Sequence, residues 1–346
     1  MNIDRKMATV RTISNITLIE NADSICKYTV DGWNIVDKIG AYNIGDKVIM
    51  VEIDAWVPTE IAPFLSKGKE PKEFEGVKGE RLRTVCLKKQ VSQGLLLPLS
   101  VLNVKTDSGE YAGQWEGFEG QDVSARLGII KWEAPIPVCL AGTVRGNLPE
   151  GIIKTDQNRV QNIGRHLPEY YGQVFEKTEK LHGSSCTMYL DSSGDFHVCS
   201  RNFDLKFDEN NAFWKAAVKY KVEEKLKSLE MLGLAIQGEL IGAGISGNQY
   251  KVELEFRVFD MYLVPEKRYL NSEERKVITE TLGLLHSPVM EYVTLSEEHT
   301  VEALLKSAEF TSFVNGSTAE GFVMKSVSNP EISFKVVSQQ WLLKNE

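Results

Sequence analysis

Glu179-Lys180-Leu181-His182-Gly183-Ser184-Ser185 is the stretch on which the reading of this chain turns. It follows the apolar pair Val174-Phe175, so 173–179 reads as a strand that breaks into a loop at the lysine and turns at the glycine. A lysine at a strand end is how a nucleophilic amine is presented. Free lysine has a pKa of about 10.4 and is an unreactive ammonium at neutral pH. Burial or neighbouring positive charge is needed to make it a nucleophile, so the rest of the chain must supply such neighbours.

The bulk composition limits the possibilities. With 346 residues, two domains are expected. A hydrophobic content of 42% and a charged content of 25% are those of a globular protein. No apolar run approaches the roughly 18 residues of a membrane helix, and the first residues carry no apolar signal segment, so a cytoplasmic location is expected. The five cysteines, Cys26, Cys86, Cys139, Cys186 and Cys199, form no CxxC pair. Buried free thiols are therefore expected, with neither a zinc site nor a disulfide framework. A net charge of −8 argues against nonspecific coating of nucleic acid but allows a local basic groove.

The first third reads as all-β. Short apolar segments at 8–13, 28–30, 34–37, 47–51 and 83–87 are separated by turn residues such as Asp31-Gly32 and Gly45-Asp46, which suggests a small barrel. The polar stretch 58–79 reads as a mobile loop with a short helix. A Gly/Glu-rich loop spans 109–120, and Asn147-Leu148-Pro149-Glu150-Gly151 reads as a linker. Beyond it, 210–226 reads as one amphipathic helix, and helices start at Asn271-Ser272 and at Ser296. Strands are expected at 187–190, 196–200, 234–240, 256–263, 321–326 and 332–336 without regular βαβ alternation, which favours α+β.

Several short peptides follow Lys180 in order: Ser200-Arg201-Asn202, Gly238-Glu239-Leu240, Phe259-Asp260, Glu320-Gly321-Phe322-Val323-Met324-Lys325 and Ser333-Phe334-Lys335. Together with Lys180-Leu181-His182-Gly183 they resemble the nucleotidyltransferase motifs of ATP-dependent RNA ligases. The segment 154–162 resembles a stretch typical of the nick-sealing type, and the first third resembles the OB module that precedes the catalytic domain in one branch. The resemblance covers nearly the whole chain. It implies an OB-fold domain at 1–135, a linker and start of the catalytic region at 136–165, and a nucleotidyltransferase domain at 166–346.

The resemblance also implies roles. Lys180 takes AMP from ATP, with Glu179 and His182 beside it. Relatives often carry Asp at the position of His182. Arg201 suits ribose hydroxyls or phosphate through its planar fork, and Phe259 offers a face for adenine. Glu320 and Glu239 suit the hydration shell of Mg²⁺ or Mn²⁺. Lys335 and Lys325 suit phosphate charge, with Ser333 standing where relatives often have lysine. The implied partner is RNA with 5′-phosphate and 3′-hydroxyl ends in RNA repair, with a monomer as the default state. Because the sequence ends soon after Val336, the OB module is expected to orient the RNA, with Arg81, Arg83, Lys88 and Lys89 as its basic strip.

Each residue also has a plainer reading. Arg201 suits a surface pair with Asp204 or Asp208, Phe259 suits strand packing, and Trp33 and Trp56 suit barrel core. Alternatives of function are a DNA ligase, a capping guanylyltransferase, or an inactive OB-type RNA-binding protein.

Overall fold

The computed structural model describes residues 5–105, 111–112, 117–133 and 143–345. Among the described residues two compact units form, one within Ile3–Pro135 with Leu342–Glu346 and one within Ile136–Trp341. Cys139 and half of the 109–120 loop lie outside the described residues.

The first unit is built of short strands. Ala8–Thr12, Lys47–Val51 and Leu95–Pro98 form one sheet, and Asn15–Leu18, Ile25–Val30 and Trp33–Lys38 form a meander. Its core gathers Val10, Ile49, Val51, Val57, Leu97 and Ile129. Trp33 and Trp56 are buried, as the core reading expects. The stretch 58–79 is more ordered than its composition suggests. After a short 3₁₀ turn, Pro63–Ser66, it folds into the hairpin Lys72–Phe74 and Val77–Arg81, closed by Glu75 and Gly76, both at positive φ. One aromatic anchors that hairpin: Phe74 lies 5.4 Å from the Trp56 ring, whose Nε1–H donates to the Val77 carbonyl at 3.0 Å. A single aromatic among charges is a weak sequence signal.

The second unit contains two sheets. An eight-stranded sheet runs in the order Val144–Asn147, Phe203–Leu205, Phe196–Ser200, Ser184–Leu190, Leu234–Ile241, Glu255–Leu263 and Arg268–Tyr269, with Leu285–His286 beside Glu255–Leu263. A five-stranded sheet runs Asn158–Arg159, Ser333–Val337, Gly321–Ser326, Val174–Glu179 and Val289–Thr294. Most pairs are antiparallel, which gives an α+β unit. Asn147, read as the start of a linker, ends an edge strand of the large sheet.

Alternation along the strands sorts the side chains. On the large sheet, Met188, Val198, Ile236, Phe256 and Val258 enter a core shared with Trp214, Ala216 and Leu226. The expected single helix over 210–226 is two helices, Ala212–Lys219 and Val222–Ser228, because Lys221 sits at φ 52° and breaks the backbone path. The helix expected to start at Ser296 begins at Val301. Thr300 caps it instead, while Ser296 is tied to the His299 ring at 3.0 Å. The helix Ser272–Thr281 starts as expected, with Asn271 and Glu274 forming a capping box. On the small sheet, Phe175, Phe322, Met324, Phe334 and Val336 form a second core with Leu304 and Leu305. The opposite faces of both sheets carry polar residues, and these faces meet where the Lys325 ammonium contacts the Asp260 carboxylate.

Candidate active site

Lys180 stands immediately after the strand Val174–Glu179, where its backbone N–H donates to the Gly321 carbonyl at 2.9 Å. The chain must then cross to the large sheet within a few residues, and Gly183 permits it; Gly321 serves a similar end within the small sheet. A Cβ on Gly183 would lie 2.0 Å from the Leu240 carbonyl oxygen. A Cβ on Gly321 would lie 2.1 Å from the Val336 carbonyl oxygen, and Gly321 has φ 141°. Both motif glycines are therefore demanded by close approach of neighbouring backbone.

The side chains converge around Glu320. Lys180 Nζ donates to Glu320 Oε1 at 2.5 Å. His182 Nδ1 lies 3.6 Å from Glu320 Oε2, and its backbone N–H donates to the Tyr250 hydroxyl at 2.8 Å. The nucleophile reading of the sequence expects positive charge beside Lys180. A buried carboxylate also faces it, because Glu320 immediately precedes the strand paired with Val174–Glu179. Glu239 faces the same space from the large sheet, opposite Ser185 and Arg257 in register. Burial, with the neighbouring Glu320 charge, pushes its carboxyl up to about 8 against the pull of Lys180. Glu320 is held down to about 2 despite its burial, because Lys180 and His182 favour its charged form.

The remaining expected residues divide into those at this cleft and those elsewhere. Arg201 approaches Glu239 electrostatically and donates to Asp156 Oδ2 at 2.6 Å, an acidic partner from far upstream in the chain. Phe259 occupies a β-bulge: Gln237 pairs with Asp260 and Gly238 with Val258, which leaves Phe259 as the extra residue. Phe256, Val258 and Met261 enter the core, so the bulge turns both Phe259 and Asp260 to the polar side, and Phe259 stays out of that core. Lys325 is buried and its ammonium is pushed down by desolvation, against the pull of Asp260. Lys335 lies in the adjoining strand, opposite Val323. Glu179 turns away: its Oε2 accepts the Phe313 N–H at 2.9 Å, and burial raises its carboxyl.

In the first unit, Arg81 donates to Asp54 at 2.6 Å and lies over the Trp132 ring at 4.0 Å, committed to the fold. Arg83, Lys88 and Lys89 are exposed. The hairpin Val85–Leu87 and Gln90–Ser92 presents the two lysines in its turn, both at positive φ. Cys86 on this hairpin is exposed rather than buried, while Cys26, Cys186 and Cys199 are buried.

The RNA ligase family model matches residues 173–337, and an OB-fold domain model matches residues 7–99. An apo mutant of the Naegleria gruberi RNA ligase is similar at 38% identity and a TM-score of 0.87, over 100% of this chain and 99% of that one. This chain belongs to the RNA ligase family. A Naegleria gruberi RNA ligase mutant with ATP and Mn matches the ligase at 38% identity and a TM-score of 0.87, over 98% of this chain and 99% of the other. The Naegleria gruberi RNA ligase with PPi matches at 38% identity and 0.86, over 99% of each. No curated protein sequence matches the chain.

The ligase's cleft suits a hydrated divalent cation. Glu320 Oε2 is buried without a hydrogen-bond partner among the described residues, and a second carboxylate, Glu239, is near enough to repel it. No cluster of three or more His, Cys, Asp or Glu side chains among the described residues forms a cage. Mg²⁺ and Mn²⁺ take oxygen ligands, and Mg²⁺ keeps several waters while binding one or two carboxylates, so the set fits.

Sequence reasoning assigns no role to Thr155, Asp156, Tyr250, Asp260 or Trp341. Thr155 Oγ1 lies 2.9 Å from Ser185 Oγ, beside the Asp156–Arg201 pair, and both residues belong to the ligase-like segment 154–162. Asp260 follows Phe259 directly in its motif. Tyr250 and Trp341 carry no local signal, since their contacts with His182 span long sequence separations.

Proposed function

We propose that this RNA ligase joins RNA ends at the expense of ATP, through AMP carried on Lys180. The observation that supports this most directly is Lys180 Nζ at 2.5 Å from Glu320, in a cleft shared with Glu239 and Arg201. In the first step, Lys180 Nζ gives up a proton to solvent and the neutral amine attacks the α-phosphorus of ATP. The bond to the bridging oxygen breaks and pyrophosphate leaves. In the second, a 5′-phosphate oxygen of RNA attacks that phosphorus and the lysine departs, leaving a 5′–5′ adenylated end. In the third, a 3′-hydroxyl attacks the adenylated 5′-phosphate, forming the phosphodiester and releasing AMP.

The chain's own groups divide this work. Glu320 holds the Lys180 ammonium at 2.5 Å, and Glu320 with Glu239 would hold a divalent cation. A bound Mg²⁺ or Mn²⁺ supplies charge neutralisation for phosphoryl transfer. Phe259 offers the adenine a ring face clear of the core, while Arg201, Lys335 and Lys325 supply positive charge for ribose and phosphate groups. Glu179 fixes the loop at Phe313 through its carboxylate, beside the nucleophile. The N-terminal unit is read as the module that orients RNA, with Arg83, Lys88 and Lys89 on its exposed hairpin, and repair of broken RNA is the task this chemistry suits.

Incubation with α-labelled ATP and Mg²⁺ tests the reading. A label should map to Lys180, vanish in Lys180→Ala and vanish with chelator. Labelling of Lys180→Ala at the wild-type level would overturn it. GTP should give no adduct, and sealing should require a 5′-phosphate and a 3′-hydroxyl RNA end; preference for a DNA 3′-end would shift the assignment to a DNA ligase.

A further inference from the structure

The His182 imidazole sits on the short link between the strands Val174–Glu179 and Ser184–Leu190, where its ring has two torsions of its own. The Tyr250 hydroxyl accepts the His182 N–H at 2.8 Å and so sets the backbone. The ring itself packs against the indole of Trp341, with centroids 4.8 Å apart and planes at 57°. That tilted geometry lies within the favourable range for aromatic pairs. It holds the imidazole where Nδ1 faces Glu320 Oε2 at 3.6 Å.

Trp341 is in turn placed from Glu320. The Ser338 N–H donates to the carbonyl of Glu320 at 2.8 Å, extending the strand pair by one residue. Ser338 Oγ accepts the Trp341 N–H at 2.9 Å and donates to Glu309 Oε2 at 2.7 Å. Glu309 Oε1 accepts the Gln339 N–H at 2.9 Å. The first turn after the last strand is thus capped twice, and the buried indole is referenced to the backbone of the residue whose carboxylate the imidazole faces.

We infer that Trp341 is a positioning residue for the lysine-adenylation site, acting through His182. The inference rests on the proposed role of Lys180. The effect of Trp341 on chemistry passes through one ring, the imidazole it packs against. A Glu309–Ser338–Trp341 brace then makes the last turn of the unit part of the site.

The experiment is single-turnover formation of the lysyl-AMP adduct by the full chain with ATP and Mg²⁺. Trp341→Leu keeps an apolar side chain in the socket without a ring, so it carries the test even if Trp341→Ala does not fold. Its maximal rate should fall about tenfold, with the ATP concentration for half-maximal rate little changed. Trp341→Phe should recover most of the loss. In a His182→Ala background, Trp341→Leu should cost nothing further. Equal losses in both backgrounds, or a wild-type rate for Trp341→Leu when His182→Ala is slow, would overturn the inference. A wild-type rate for His182→Ala would overturn it too, while leaving Lys180 as the nucleophile. Labelling of Lys180→Ala would instead remove the reading beneath it.

Discussion

Glu239 and Glu320 show how two carboxylates in one cleft are driven apart by their surroundings. Glu320 keeps its charge because Lys180 and His182 face it, while Glu239 is raised to about 8 by burial and by Glu320. An acid raised from 4.5 to about 8 on folding binds a proton that the unfolded chain has released. Its contribution to stability is present below 4.5 and is lost as pH rises through about 8. In chelator, the melting temperature of the wild type should therefore fall across that window more than that of Glu239→Gln. Identical slopes would show that Glu239 ionises freely. The same variant should slow adduct formation. A second prediction concerns Gly183: Gly183→Ala must push a methyl into the Leu240 carbonyl, and should destabilise the fold by about 3 kcal/mol in denaturant titration.

At the scale of elements, the buried pair of Glu176 and Arg275 joins the helix Ser272–Thr281 to the small sheet, with Ser272 Oγ donating to Glu176 at 2.5 Å and the Tyr292 hydroxyl donating at 2.9 Å. Arg275→Ala removes the buried cation paired with Glu176, leaving only two hydroxyls and the more distant Lys276 at 3.7 Å, and chemical unfolding should show a loss of about 3 kcal/mol. The hairpin at Lys88-Lys89 makes the opposite trade. A two-residue turn with both residues at positive φ favours Asn-Gly, yet lysines occupy it. Replacing Lys88→Asn and Lys89→Gly together should raise stability by about 1 kcal/mol and weaken RNA retention in a filter-binding assay. Unchanged retention would remove the hairpin from the RNA surface.

What could be read from the sequence follows from the range of each interaction. The strands bearing Glu239 and Phe259, and those flanked by Lys180 and Glu320, are legible because apolar alternation is local, and these motif residues lie next to strand ends or on polar faces. The bulge at Phe259 was not, since only pairing with Gln237 and Gly238 reveals the extra residue. The break at Lys221 was hidden because a lysine at positive φ leaves no compositional mark. Phe74 disguised a hairpin among charges, and Trp341 meets His182 only once both sheets are built.

At the scale of the whole molecule, each unit has its own apolar core, which makes separate folding of the second unit a reasonable design target. A chain lacking the N-terminal unit should still form the Lys180 adduct at close to the full rate while sealing RNA poorly. Loss of adduct formation in a folded truncation would show that the N-terminal unit takes part in adenylation. No helix among the described residues is long and apolar enough to cross a membrane. The exposed thiol of Cys86, two residues before the lysine turn, offers a different window on the same question. With Cys26, Cys186 and Cys199 shut inside the fold, a maleimide fluorophore would settle chiefly at that ribbon among the described residues, and a change in its brightness on adding RNA would show whether a strand approaches the hairpin.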